Sequence, residues 1–142
     1  MPNQFTIRLG AIGQRREAAD KVGGILPGML VALNADAADN VVVHPTEGGA
    51  ALPSFAMEDD IQGKTTTDAY VITEVVQYET FKTGDRVLGR LASGENVAKR
   101  AALTSNGDGY LKAAGATDAV VSYAAEAVNA SAAAAFIAIE IK

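Results

Sequence analysis

Strict alternation of apolar and polar residues is clearest at the two ends of the chain. Near the start, Phe5, Ile7 and Leu9 alternate with Thr6 and Arg8, and at the end Ile137, Ile139 and Ile141 alternate with Ala138, Glu140 and Lys142. A period of two is the signature of a strand with one buried face. Between them, Met29 to Leu33 and Val41 to Val43 form two apolar runs joined by a polar connection, with Pro27-Gly28 before and Pro45 after. This predicts a hairpin. Ala101 to Thr104 and Tyr110 to Lys112 flank Ser105-Asn106-Gly107-Asp108-Gly109, whose Asn-Gly and Asp-Gly steps predict a second hairpin. Further strands are expected at Ser54 to Glu58, at Val71 to Val76, and at Arg86 to Ala92, which returns after the Lys82-Thr83-Gly84-Asp85 turn. Lys82, Arg86 and Arg90 also fit one face of a helix, but Gly84 and Gly89 make that the poorer choice.

The stretch Gly10 to Gly24 carries Gln14, Arg15, Arg16, Glu17, Asp20 and Lys21 with few apolar anchors. It reads as a loop or a short surface helix, so residues 1–20 are expected to form an extended arm ahead of one β-rich domain over residues 21–142. An internal echo joins Ser54-Phe55-Ala56-Met57-Glu58 to Ser122-Tyr123-Ala124-Ala125-Glu126. A duplicated hairpin-plus-strand would produce it, and so would chance in an alanine-rich chain.

Composition narrows the picture. The chain has 142 residues, of which 28 are alanine and 34 are Leu, Ile, Val or Phe. One domain with a thin core follows. Without cysteine there is no disulfide and no thiolate site, and the one histidine, His44, excludes a two-histidine metal site. The net charge of −5, with no basic cluster longer than Arg15-Arg16, argues against nucleic-acid binding. No run of 18 apolar residues and no signal-like start are present, so a soluble protein made in the cytoplasm is expected.

Candidate chemistry is sparse. Gly63-Lys64-Thr65 has the end of a phosphate loop, but Glu58 stands where its first glycine belongs, which leaves a turn with a solvated lysine. His44 serves as a general base or, with no nucleophile elbow in the sequence, as a strand-end hydrogen-bonding group. Glu58, Asp59 and Asp60 lack the alternating spacing of a calcium loop and read as a surface turn. From Val22 to Gly63 there are six acids and no Lys or Arg, whereas Lys82 to Arg100 holds five bases against two acids. Such an asymmetry is either ordinary surface variation or suits contacts between copies or docking on a complementary lattice, through Glu58, Asp59 and Asp60 on one side and Lys82, Arg86 and Arg90 on the other.

Taken together, Leu26-Pro27-Gly28-Met29-Leu30-Val31, the Val41-Val42-Val43-His44 strand, Gly48 to Glu58, Gly63-Lys64, Asp68-Ala69-Tyr70 and Gly84 to Ala92 resemble the small capsid decoration, or cement, proteins of tailed bacteriophages. The resemblance continues through Leu103 to Gly109 and the final isoleucine-rich strand. One departure is Thr73-Glu74-Val75, where a glycine-containing turn is expected. The resemblance implies a compact β-barrel or β-tulip-like domain of short antiparallel strands. It also implies a trimer at three-fold and quasi-three-fold positions of the head exterior, with the major capsid protein as partner and no enzymatic activity, cofactor, metal, nucleic acid or membrane. In that setting Phe5, Ile7 and Leu9 would add a strand to a neighbour, and Arg8, Arg15 and Arg16 would meet an acidic shell. The rival readings are another virion binding module, of the carbohydrate-binding or fibre-base kind, and a small hydrolase built on His44.

Overall fold

The computed structural model describes residues 6–34 and 39–142, and its regular secondary structure is almost wholly short strands. Twelve strands occur among the described residues: β1 (Gln14–Asp20), β2 (Val31–Leu33), β3 (Asn40–Val43), β4 (Ser54–Ala56), β5 (Val75–Thr80), β6 (Arg86–Leu91), β7 (Asn96–Val97), β8 (Ala102–Ser105), β9 (Leu111–Ala113), β10 (Ser122–Ala124), β11 (Val128–Asn129) and β12 (Ala135–Ile141). One 3-10 turn, Asp60–Gln62, occurs among the described residues. The mainly β expectation holds. No helix among the described residues is long and apolar enough to cross a membrane.

Ten of the twelve strands sort into two five-stranded units, and β7 and β11 pair as a separate two-stranded sheet. The first is ordered β2-β3-β1-β5-β4; the second is a closed barrel ordered β8-β9-β6-β12-β10. These orders are the same one used twice. Each unit has an antiparallel hairpin (β2–β3, β8–β9), a parallel pair (β1–β3, β6–β9) and a long antiparallel pair (β1–β5, β6–β12). In each, a three-residue Ser-aromatic-Ala strand lies against the last long one, with Phe55 opposite Glu79 in the first and Tyr123 opposite Glu140 in the second. Arg15 likewise faces Glu79, as Arg86 faces Glu140. The short sequence echo is thus the visible trace of a repeated five-strand topology.

Packing explains which unit closes. Val87, Leu91, Leu103, Leu111, Ile137, Ile139 and Ile141 fill the second barrel, and a Cβ added at Gly89 would already meet Ile139 and Leu111 at 3.2 Å. That cluster runs on through Leu30, Phe55, Met57 and Phe81 to the first unit, so the two units share an apolar seam. The first unit has its own smaller cluster of Ile25, Val31, Val41, Val76, Tyr70 and Tyr78.

Three expectations are corrected here. Gln14–Asp20 is a strand, neither loop nor surface helix, and it lies at the centre of its sheet in a six-residue register with β5 from Gln14↔Thr80 to Ala19↔Val75. A boundary at residue 20 would therefore cut through the body of the fold. Residues 7–9 are also docked on their own chain. The Ile7 carbonyl accepts from Leu88 N–H at 2.7 Å, Leu9 N–H donates to the Arg86 carbonyl, and the Ile7 side chain is fully buried. The expected strand at Val71 to Val76 begins only at Val75, and β5 and β6 part into different units instead of forming a hairpin.

Tyr70 anchors the first core through its hydroxyl, which donates to the Met57 carbonyl at 2.7 Å and accepts from Gln77 N–H. Burial, reinforced by the carboxylates of Asp59, Glu74 and Glu58, outweighs the Gln77 bond and pushes its pKa up to about 12. A phenol whose folded pKa lies above its unfolded value stabilises the fold fully below the unfolded pKa, and that contribution disappears as pH rises through the folded one. Denaturant unfolding measured across alkaline pH should therefore show stability falling between about pH 10 and 12. Tyr70→Phe should start less stable at neutral pH, because it loses both bonds, and should fall less steeply over that range.

Candidate functional site

Most side chains singled out by sequence turn out to hold the fold together. Arg8 makes two 2.8 Å bonds to the Glu79 carboxylate, whose side chain is wholly buried. Glu58 accepts from Ile7 N–H at 3.1 Å, and Asp59 is buried, so within the acidic run only Asp60 lies on the exposed face of a turn. Arg90 is clamped: its guanidinium donates to the Pro27 and Thr66 carbonyls, each at 2.7 Å, and lies 4.3 Å from the Phe136 ring centroid. Burial lowers its pKa. Leu88, which strand alternation places on the same face of β6 as Arg86 and Arg90, is buried because the first unit covers that side of β6. Arg15, Arg16, Lys82 and Arg86 remain exposed, while Phe5 lies outside the described residues. Among the described residues the structure brings no three His, Cys, Asp or Glu side chains together as metal ligands.

His44 has a structural arrangement. Its Nδ1 lies 2.8 Å from Ser105 Oγ in the second barrel, and its Nε2 lies 3.1 Å from the Ala50 carbonyl. A serine beside an imidazole suggests a nucleophile and base, but catalysis also asks for a carboxylate orienting the far nitrogen. Here that nitrogen meets a main-chain carbonyl, and both ring atoms tie the 47–53 connection and the second barrel to the end of β3.

Two surface features remain once these contacts are assigned. At the end of the first unit where β1 stops and β5 starts, Val22, Val71, Ile72 and Val75 are each between 50% and 70% exposed. Their loops are locked together: Thr73 N–H donates to the Asp20 carbonyl, and Asp20 N–H donates to that of Glu74, both at 2.8 Å. The buried Asp20 carboxylate also accepts from Val22 and Gly23 N–H. The Lys64 ammonium and Val71 N–H hold the Glu74 carboxyl below its ordinary value. Thr73 sits at φ +69°, a left-handed conformation that a β-branched residue rarely takes. The turn for which a glycine is expected is thus made without one, and its strain is held by the surrounding bonds.

At the opposite end of the same unit lies a groove of about 530 Å³, lined by Gln14, Arg16, Val31, Leu33, Ser54 and Tyr78 among others. Ser54 and Thr80 hydroxyls are bonded across its floor at 2.7 Å, and Leu33 and Leu52 stand exposed at its rim. Neither feature is visible in the sequence as a motif. Val71 and Ile72 read there as the start of a strand, and Gln14 and Arg16 read as loop polarity.

This double five-strand architecture has a counterpart. The fold is similar to that of a phage head-fiber base. The crystal structure of the head fiber gp8.5 N base of bacteriophage phi29 superposes with a TM-score of 0.60 over 90% of this chain and 92% of that one, at 13% sequence identity. No family model and no curated protein matches the sequence. At this identity the likeness is one of fold.

Proposed function

We propose that the chain is a structural protein of a tailed-phage virion, seated on the outer face of the head and bound to the major capsid protein. On this reading it reinforces the shell as trimers at three-fold and quasi-three-fold positions and performs no catalysis. The observation that carries the proposal is the near end-to-end match in fold to a head-fiber base, since nine-tenths of each chain takes part. The exposed apolar cluster of Val22, Val71, Ile72 and Val75 supports it, because a contiguous apolar surface held in a strained, heavily bonded loop suits a protein contact. The capsid-facing role of the basic side chains falls to Arg15 and Arg16, with Lys82 and Arg86 left for contacts between copies, because Arg8 and Arg90 are engaged within the chain.

A second reading, the base of a head fibre, is favoured by what the similar structure is. It shares the seat on the head and differs in carrying a further structure above it. Of the other rivals, a carbohydrate platform lacks support: Tyr70, Tyr78, Phe55 and Phe81 are buried, and Phe136 lies under Arg90.

Cryo-microscopy of expanded empty heads mixed with the purified protein should show added density at the three-fold sites. Ile72→Asp, which places a charge in the apolar cluster without touching the core, should lower occupancy about tenfold or more. Heads that gain no density would refute the proposal, and undiminished binding by the variant would remove the apolar cluster from it.

A further inference from the structure

The repeated topology supplies an internal control for the groove. In the second barrel β8 and β10 pair at Ser122↔Leu103 and Tyr123↔Ala102, and the seam is carried one step further by Val121 N–H, which donates to the Leu103 carbonyl at 2.9 Å. In the first unit Ser54 stands where Ser122 does and Val31 where Leu103 does, so the position of Val121 is taken by Pro53. Proline has no N–H to give. Among the described residues, β2 and β4 are joined at the Leu30–Phe55 bridge and are not paired as strands beyond it; Ser54 N–H turns back to the Leu52 carbonyl instead.

The lumen differs to match. Ile139 and Ile141 fill the second barrel where Tyr78 and Thr80 stand in the first, and Arg16 occupies the place of the buried Val87. The same framework is packed shut in one copy and splayed in the other. Along β2 the chain passes from Val31, which is buried, to Leu33, which is 54% exposed beside the groove.

We propose that this open seam is an acceptor site for an extended segment of a partner protein. The segment adds a strand to the edge of β2 at Val31–Leu33, drops a large apolar side chain between Leu33 and Leu52, and sets a carboxylate against Arg16. A strand edge beside a pocket is the arrangement by which extended peptides are held, with main-chain bonds giving affinity and the pocket giving specificity. The volume falls within the roughly 300–1,000 Å³ usual for such pockets, and the exposed apolar rim favours a side chain over a polar small molecule. Charge adds a preference. Arg16 lines the groove, no carboxylate is among the groove's lining residues, and Arg16 forms no ion pair among the described residues, so an acidic residue of the segment belongs beside it; Glu17 and Asp39 lie with Arg16 in a separate, neighbouring hollow. The inference does not depend on the head-surface reading, because it concerns the occupant of one seam and can be tested on the isolated protein.

The test is a selection of displayed random short peptides against the folded chain, followed by amide-shift mapping of the best binders. Enriched peptides should share one large apolar residue beside a carboxylate and should shift the amides of Val31, Ala32 and Leu33. Pro53→Val, which restores the donor found in the second barrel, should close the seam and weaken them about tenfold or more, which corresponds to ~1.4 kcal/mol. Arg16→Glu changes an exposed side chain and keeps the fold; it should switch the preference from acidic to basic peptides. A selection that enriches nothing, binders that shift other amides, or binders indifferent to both substitutions would overturn the proposal.

Discussion

Deletion of residues 1–20 should abolish folding. The deletion removes β1, the strand that joins β3 on one side and β5 on the other, and with it the six-residue register that holds the first unit together. It also removes Ile7 from the shared apolar seam and leaves the buried Glu79 carboxylate without Arg8. Each loss alone is worth several kcal/mol, and a whole domain is stable by only about 5–15 kcal/mol. The expected result is a chain with no cooperative thermal transition in circular dichroism and collapsed amide dispersion in its NMR spectrum. A truncated chain that unfolds cooperatively would mean that β5 and β3 pair without β1, and the sheet order would need revision.

That expectation reverses what the chain suggests on inspection, and the reason is instructive. β1 is polar because its lumen-facing positions Gln14 and Arg16 open on the groove while Arg15 and Glu17 face solvent. Only Ala18 and Asp20 are buried, so a central strand displays almost no apolar alternation. Tertiary pairing overrides local propensity there. The converse error occurs at Val71 and Ile72, whose apolar, β-branched character belongs to an exposed cluster and not to a strand interior. Where alternating large apolar side chains fill the core, as Ile137, Ile139 and Ile141 do in β12, or where Asn-Gly and Asp-Gly fix the turn, as between β8 and β9, sequence and structure agree.

The repeat was legible only as a five-residue echo, since register, not side-chain identity, is what the two units share. Within the paired strands Ser54 and Ser122, Ala56 and Ala124, Arg15 and Arg86, and Glu79 and Glu140 are equivalent positions with the same residue, and Glu58 and Glu126 follow just beyond them. The groove had no sequence signal at all. Its open seam coincides with Pro53, which stands where Val121 donates in the second barrel, and with Arg16, Tyr78 and Thr80 where that barrel has Val87, Ile139 and Ile141.

The two equivalent glutamates should respond very differently to removal. Glu79→Ala is expected to cost about 3–5 kcal/mol, because Arg8 would be left charged and partly buried with neither of its carboxylate bonds. Glu140→Ala should cost at most about 1 kcal/mol: its partner Arg100 is 66% exposed, and a solvated pair at 2.8 Å gains little over water. Strand position and cross-strand neighbour are alike in the two cases, so the difference isolates burial, which comes from the first unit turning this face of β5 toward the Ile7–Arg8 segment. Denaturant midpoints at constant m-value would measure both. The double variant Arg8→Met with Glu79→Leu should recover most of the loss, since filling the site with apolar volume removes the need to desolvate two charges. Were the double variant as unstable as Glu79→Ala alone, the pair would be supplying directional bonds that packing cannot replace. Equal costs at Glu79 and Glu140 would show instead that the Arg8 segment is exchanging with solvent and is not locked on the fold.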